Sequence, residues 1–134
     1  MSLALTIIVP GRAPYERQAD AVTLPGVLGQ FTVLPNHGAM LAQVQPGLVE
    51  VTVSGQVEML AFGNGICEVG ADHVEVLAGK SALPGDVDGA AAKSALEAAE
   101  AALAKQVGPV NEGWKEAQDN RAWAEALSRL ASGN

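Results

Sequence analysis

The residues whose chemistry goes beyond packing are few: two histidines, one cysteine, and a set of arginines and carboxylates near the C-terminus. His37 stands in a Pro35-Asn36-His37-Gly38 turn, His73 follows Asp72 at the start of an apolar run, and Cys67 lies inside Ile66–Val69. His37, Cys67 and His73 do not fall at any spacing that holds a metal ion. The chain also lacks a glycine-rich phosphate loop ending in Lys and Ser or Thr, a His-Glu-x-x-His pair, paired cysteines and a Gly-x-Ser-x-Gly elbow. Catalysis by this chain is not expected, and neither a cofactor nor a metal is implied. Cys67 reads as a small buried hydrophobe, and His73 as a surface residue satisfied by its neighbour. His37 is a polar ring held in a turn, which makes it a candidate contact residue.

The stretch that positions His37 runs from Leu24 to Val51. Pro25-Gly26, Gly29, Pro35-Asn36 and Pro46-Gly47 each interrupt a short apolar run there, as tight turns between strands do. Before it, Leu3, Leu5, Ile7 and Val9 alternate along a first strand that ends at Pro10-Gly11, and a second strand is expected from Tyr15 to about Thr23. Further strands are expected over Gln30–Leu34, Met40–Val44, Leu48–Val53, Val57–Phe62, Ile66–Val69 and His73–Leu77, with a hairpin turn at Ser54-Gly55. About eight to ten short strands at this spacing indicate a flattened β-sandwich or barrel.

The pattern changes near Leu83-Pro84-Gly85. Asp86 or Asp88 can cap a helix, and nine alanines lie between Ala90 and Ala104. Leu96, Ala99, Leu103 and Val107 give that helix one modest apolar stripe. Gly108-Pro109 breaks it. A second helix is expected from Asn111 to about Ala131, with Trp123, Leu127 and Leu130 on one face and Trp114 on the other side. The fold class is therefore all-β plus α: a sandwich over residues 1–85 and an antiparallel two-helix hairpin over 86–134. The first helix is mostly alanine, so the hairpin should be weakly held.

Composition bounds the partners. Of 134 residues, 49% are hydrophobic and 17% charged, and the formal net charge is −7. An acidic chain is a poor match for nucleic acid or an anionic membrane surface, and a good one for a basic protein. The apolar N-terminus is too short, and too lacking in basic residues, for a signal peptide or a membrane span. Direct membrane insertion is not expected, and any membrane association should run through a partner.

Taken in order, Leu24-Pro25-Gly26, Gly29-Gln30-Phe31-Thr32-Val33-Leu34-Pro35-Asn36-His37, Pro46-Gly47-Leu48-Val49-Glu50-Val51, Gly65-Ile66-Cys67-Glu68-Val69 and Val74-Glu75-Val76-Leu77-Ala78 resemble the epsilon subunit of bacterial and chloroplast F-type ATP synthases, counterpart of mitochondrial delta. The resemblance implies a non-catalytic rotor subunit at the foot of the central stalk, beside the gamma subunit and on the membrane rotor ring. Such a subunit couples ion-driven rotation to ATP synthesis in the α/β catalytic head. It also implies a peripheral location on the cytoplasmic face of a bacterial membrane. Gln30, Leu34, Asn36 and His37 become contact candidates toward ring and stalk, with Trp114 and Trp123 as candidates on the hairpin. In many relatives the hairpin extends into the head and blocks ATP hydrolysis, and in some it binds ATP through a motif of Ile or Leu, Asp, two variable residues, Arg and Ala. Here Val87-Asp88-Gly89-Ala90-Ala91-Ala92 has Ala91 in place of the arginine, leaving Asp88, Arg121 and Arg129 as the candidate nucleotide residues. The alternatives are a nucleotide-sensing regulatory switch of the same complex and a free-standing β-sandwich adaptor.

Overall fold

In the computed structural model, which describes residues 2–108 and 110–133, ten strands precede two helices. The strands are β1 (Leu3–Ile8), β2 (Tyr15–Ala19), β3 (Ala21–Gly26), β4 (Gly29–Val33), β5 (Met40–Val44), β6 (Gly47–Val53), β7 (Gln56–Phe62), β8 (Gly65–Val69), β9 (His73–Ala78) and β10 (Ser81–Ala82). A 3-10 turn at Pro84–Asp86 leads into α1 (Gly89–Ala104) and then α2 (Glu112–Ser132). The expected break at Pro109 falls outside the described residues.

The strands join in the order β10-β7-β6-β3-β5-β8-β9-β1-β2, with β4 also on β3. All pairs are antiparallel except β1–β9, which is parallel. One pair, Gly26–Val44, links β3 to β5. The sheet curls there into a sandwich, so the alternating apolar residues of both halves meet inside. Leu3, Leu5, Ile7, Val22, Leu24, Val49, Val51, Leu60, Phe62, Val74 and Val76 fill this core with almost no exposure. Cys67 is buried among them, and that burial pushes its thiol up to about 11, so it stays neutral and unreactive.

The expected single strand from Tyr15 to Thr23 is two strands, broken at Asp20. β2 pairs with β1, whereas β3 pairs with β4, β5 and β6, so the chain crosses between layers at this point. Asp20 holds the corner: its N–H donates to the Thr52 carbonyl at 2.7 Å, and its carboxylate accepts the Ser54 N–H at 2.8 Å. Ser54 and Gly55 form the β6–β7 turn with φ of 51° and 80°, the left-handed pair that suits the twist of a two-residue hairpin.

At the open mouth of the sandwich, Arg17 of β2 reaches Glu58 of β7. Their register partners, Leu5 and Val51, are core residues, so both side chains occupy inward positions. The guanidinium binds both carboxylate oxygens, with Nη2 to Oε1 at 2.6 Å and Nε to Oε1 at 2.9 Å. Burial and, after it, the Glu58 charge raise the pKa of the adjacent Tyr15 phenol.

α1 begins at Asp88, whose carboxylate accepts the N–H groups of Ala90 and Ala91 at 2.9 and 3.2 Å. It ends at Ala104, one turn short of the expected stripe, and Val107 lies exposed beyond it. The inner stripe is instead Ala92, Leu96, Ala99 and Leu103. In α2 the Asn111 side chain caps the start by accepting the Trp114 N–H at 3.0 Å. α2 lies on the outer face of β6 and β7. The seam holds Ala61, Ala82, Ala126 and Leu130 as its buried residues, flanked by Leu48, Met59, Val87, Trp123 and Leu127. Three of the four buried members are alanines, so this contact stabilises far less than the sandwich core does.

Candidate functional site

The β3–β4 hairpin is the base of the site. Gly26 and Gly29 pair across it, and Val27 and Leu28 form its tip. Gly26 is needed for packing: a Cβ there would lie 2.9 Å from the Phe31 ring and 2.6 Å from the Gly29 carbonyl oxygen. Phe31 therefore folds under the hairpin while Leu28 stands wholly in solvent, at 103% of its reference exposure. Val27, Leu28, Phe31, Met40 and Leu41 line an open concavity of about 600 Å³. Exposed aliphatic side chains around one concavity are a docking feature, since water gains nothing from them.

Beside it runs the loop from Leu34 to Ala39. Leu34 is exposed. Asn36 takes a left-handed φ of 70° and donates its N–H to the Ala71 carbonyl at 2.7 Å, tying the loop to the β8–β9 turn. The His37 N–H closes a turn onto the Leu34 carbonyl at 3.2 Å, and its Nδ1 lies 2.7 Å from the Gly38 carbonyl oxygen. A carbonyl only accepts, so Nδ1 carries the proton in this bond. The ring that the sequence singled out is thus fixed in orientation by its own loop.

Gln30 lies between two recesses. It lines the apolar concavity on one side and, on the other, a cleft of about 410 Å³ between the sandwich and α2. Arg121, Glu125 and Arg129 overhang that cleft, with Pro25, Glu50 and Met59 opposite. Arg121 pairs with Glu125 at 2.6 Å. Asp88 is not among the lining residues of this cleft. It caps α1 and borders a separate recess with Arg12, Trp123 and Leu127. Arg121 and Arg129 thus share a site, and Asp88 does not share it with them.

The two tryptophans occupy different settings. Trp123 packs on the alanine seam, with the Lys80 ammonium 4.6 Å from its ring centroid. The Lys80 stem crosses Gly63, where a Cβ would come within 2.9 Å of it. This position desolvates the ammonium and lowers its pKa. Trp114 is half-buried near the start of α2. One polar contact spans the same junction, from the Asn64 amide to the Asp119 carboxylate at 3.0 Å, and Lys115 also holds Asp119 at 2.9 Å.

His73 behaves as its sequence position suggests. Its ring lies 3.2 Å from both the Asp72 and Glu68 carboxylates, and these raise its pKa above the ordinary value. A raised native value means that the contribution to stability is complete below the unfolded value of about 6.5 and is lost as pH climbs through the native one. An NMR titration of the His73 ring is expected to give a value above that of the denatured chain. Asp72→Asn with Glu68→Gln should bring it back, and a value unmoved by both changes would contradict the assignment.

Val27, Leu28, Met40 and Leu41 are candidate docking residues that sequence reasoning missed. The available signal was an aliphatic pair, Val27-Leu28, set between two glycines at a hairpin tip, where polar residues are usual. Among the described residues no group of three or more His, Cys, Asp or Glu is placed to hold a metal ion. None of the helices there is long and apolar enough to cross a membrane.

Comparison with known proteins bears on the whole chain. The beta-sandwich domain model of the ATP synthase delta/epsilon chain matches residues 2–83. An ATP synthase epsilon chain of Synechococcus sp. (strain WH7803) is 35% identical over 108 residues, covering 81% of this chain and 79% of that one. The chloroplastic ATP synthase epsilon chain of Coffea arabica is 32% identical over 108 residues, covering 81% and 82%. Among solved structures, a chain of the Euglena gracilis mitochondrial ATP synthase (OSCP/F1/c-ring) aligns with a TM-score of 0.76 at 20% identity, over 94% of this chain and 79% of that one. A chain of the Tetrahymena thermophila mitochondrial ATP synthase central stalk and c-ring aligns at 0.57 and 13%, over 99% and 96%. At those identities the structural likeness speaks to the fold.

Proposed function

The chain belongs to the delta/epsilon family of ATP synthase subunits, and from that premise we propose that it serves as the epsilon subunit, a non-catalytic part of the rotating central stalk. In this reading it joins the gamma subunit to the membrane rotor ring and passes ion-driven rotation to the catalytic head. It sits peripherally, on the cytoplasmic face of a bacterial membrane. Residues 1–85 act as the anchor and residues 86–134 as a separable hairpin.

The observation that carries the reading is the apolar hairpin tip set beside a fixed polar loop. Val27, Leu28, Leu34 and Leu41 supply area, while Gln30, Asn36 and His37 supply directional contacts to ring and stalk. The alanine-rich seam under α2 supports a second role. A joint with one buried leucine and three buried alanines is held loosely enough for the hairpin to swing away, carrying Trp114 and Trp123 toward the head, where it opposes hydrolysis.

The test is ATP hydrolysis by the cognate catalytic head with gamma, after addition of the full chain or of residues 1–85. Both are expected to bind, and only the full chain to inhibit. About tenfold inhibition requires the extended form to be favoured by ~1.4 kcal/mol once the head is present. Binding without inhibition by either would leave a coupling role alone, and failure of both to bind would overturn the stalk assignment. Arg121 and Arg129 in one cleft favour a nucleotide-sensing switch as the second reading. It requires ATP to bind the isolated chain and Arg121→Ala to weaken that binding.

A further inference from the structure

His73 is fitted into its place at the start of β9. Its ring lies over Gly70, where a Cβ would fall 2.8 Å from Nδ1 and 3.2 Å from Nε2, so a side chain at that position would displace it. From there the ring spans the β8–β9 turn. Nδ1 is 3.2 Å from Asp72 Oδ1, within the turn, and Nε2 is 3.2 Å from Glu68 Oε1, on β8. Carboxylate oxygens only accept, so both contacts are hydrogen bonds only when both ring nitrogens carry a proton. The neutral ring has one bare nitrogen, which must face a carboxylate or turn away. This geometry belongs to the imidazolium.

The surroundings favour the same state. On β1 the register neighbour of His73 is Ala4, and Ala4 lies opposite Gln18 of β2. The next row on this face holds Glu75 of β9 opposite Glu68, with Thr6 of β1 and Glu16 of β2 on its other side. The 34–39 loop brings one titratable group, His37, whose Nδ1 is engaged with the Gly38 carbonyl. The charged groups that the strands and the turn set around the ring are thus carboxylates, which stabilise its proton.

The clamped turn also carries the contact loop. Backbone bonds fix two of its carbonyl groups within the sheet, as Asp72 accepts the Ala4 N–H and His73 the Gly70 N–H, both at 2.9 Å. The third faces the loop. The Ala71 carbonyl accepts the Asn36 N–H at 2.7 Å, and Asn36 holds its left-handed φ of 70° one residue before His37.

We propose that His73 is a pH-sensitive clamp: protonated, it bridges Glu68 and Asp72, holds the β8–β9 turn and, through the Ala71–Asn36 bond, tightens the 34–39 loop; deprotonated, it releases both. The clamp is complete below the unfolded-state value of the histidine and is lost as pH rises through the raised native value. Ring and carboxylates are exposed, so the effect on the loop is a few-fold change and not an all-or-none one. The functional meaning rests on the stalk-subunit reading, in which this loop contacts ring and stalk. Its grip then slackens as the surrounding solution turns alkaline.

The test follows amide resonances of the isotope-labelled full chain as pH is raised through the histidine range, in a His37→Gln background that removes the imidazole next to Asn36. The Asn36 and Ala71 resonances should titrate at the midpoint of the His73 ring. Across that midpoint the Asn36 amide should lose about threefold in protection against exchange. Adding Glu68→Gln should move ring and amides together to lower pH, and adding His73→Gln should leave the amides flat. Amides that stay flat while the ring titrates, or that titrate at another midpoint, would overturn the clamp. A second arm measures rebinding of the wild-type chain and of His73→Gln to the cognate synthase stripped of this subunit. Wild-type affinity should fall about threefold from the acid to the alkaline side of the midpoint, and His73→Gln should hold one affinity throughout. The same pH dependence in both chains would overturn the regulated contact. Failure of both to rebind at any pH would overturn the stalk reading and leave the clamp, which the isolated chain reports, standing.

Discussion

Phe62→Ala is expected to cost about 3–5 kcal/mol of folding stability. Phe62 is fully buried, and it is the largest of the side chains with essentially no exposure. It sits at the end of β7, where its backbone pairs with Gly47 of β6 and Ser81 of β10, so three strands meet around it. Strands held by ladder hydrogen bonds cannot close over the lost ring, and the cavity remains. Against a typical total of about 5–15 kcal/mol, a loss of this size removes about a fifth or more of the margin. Urea unfolding of the full chain would register it as a lower midpoint at unchanged slope. Phe62→Leu, which keeps most of the volume, should lose less than half as much. A loss below about 1 kcal/mol for the alanine variant would mean that the layers collapse freely, contrary to the close packing described here.

Gly65→Ala should be the second largest effect, about 1–3 kcal/mol or more. Gly65 begins β8 between Val44 of β5 and Ala78 of β9. A Cβ there would fall 2.2 Å from the Leu77 carbonyl oxygen and 3.1 Å from the Ala78 Cα. Both are backbone atoms, so relief requires the strands to part. The change is steric and does not concern φ, since Gly65 is not left-handed. Gly85→Ala, with no atom within 4 Å of its added methyl, is the matched control and should leave the midpoint nearly unmoved. Amide exchange at Leu77 and Ala78 would show whether the damage centres on the β8–β9 pair, and equal midpoints for the two variants would contradict this geometry.

Local chemistry made much of the architecture legible. Alternation in Leu3–Val9 and His73–Leu77, the Ser54-Gly55 turn and the Asp88 cap each report on residues within a few positions of one another. The break at Asp20 was harder to read because the segment around it contains neither glycine nor proline. Its signal was a change of phase: Ala19 is buried as if on one face, and Val22 and Leu24 on the next. Val107 continued a helical spacing that the backbone did not follow. The parallel β1–β9 pair and the meeting of Gln30 with Arg121 and Arg129 depend on packing between segments far apart in sequence. No local pattern encodes them.

The Arg17–Glu58 pair has a consequence beyond closing the mouth of the sandwich. β2 and β7 lie at or near the two ends of the strand order, where unpaired N–H and C=O groups invite a foreign strand. Each of these margins carries a charge turned inward, and each charge is neutralised only by the other. An intruding strand on either side must separate them and strand an ion near apolar surface. The pair thereby disfavours edge-to-edge pairing of the sheet with a foreign strand.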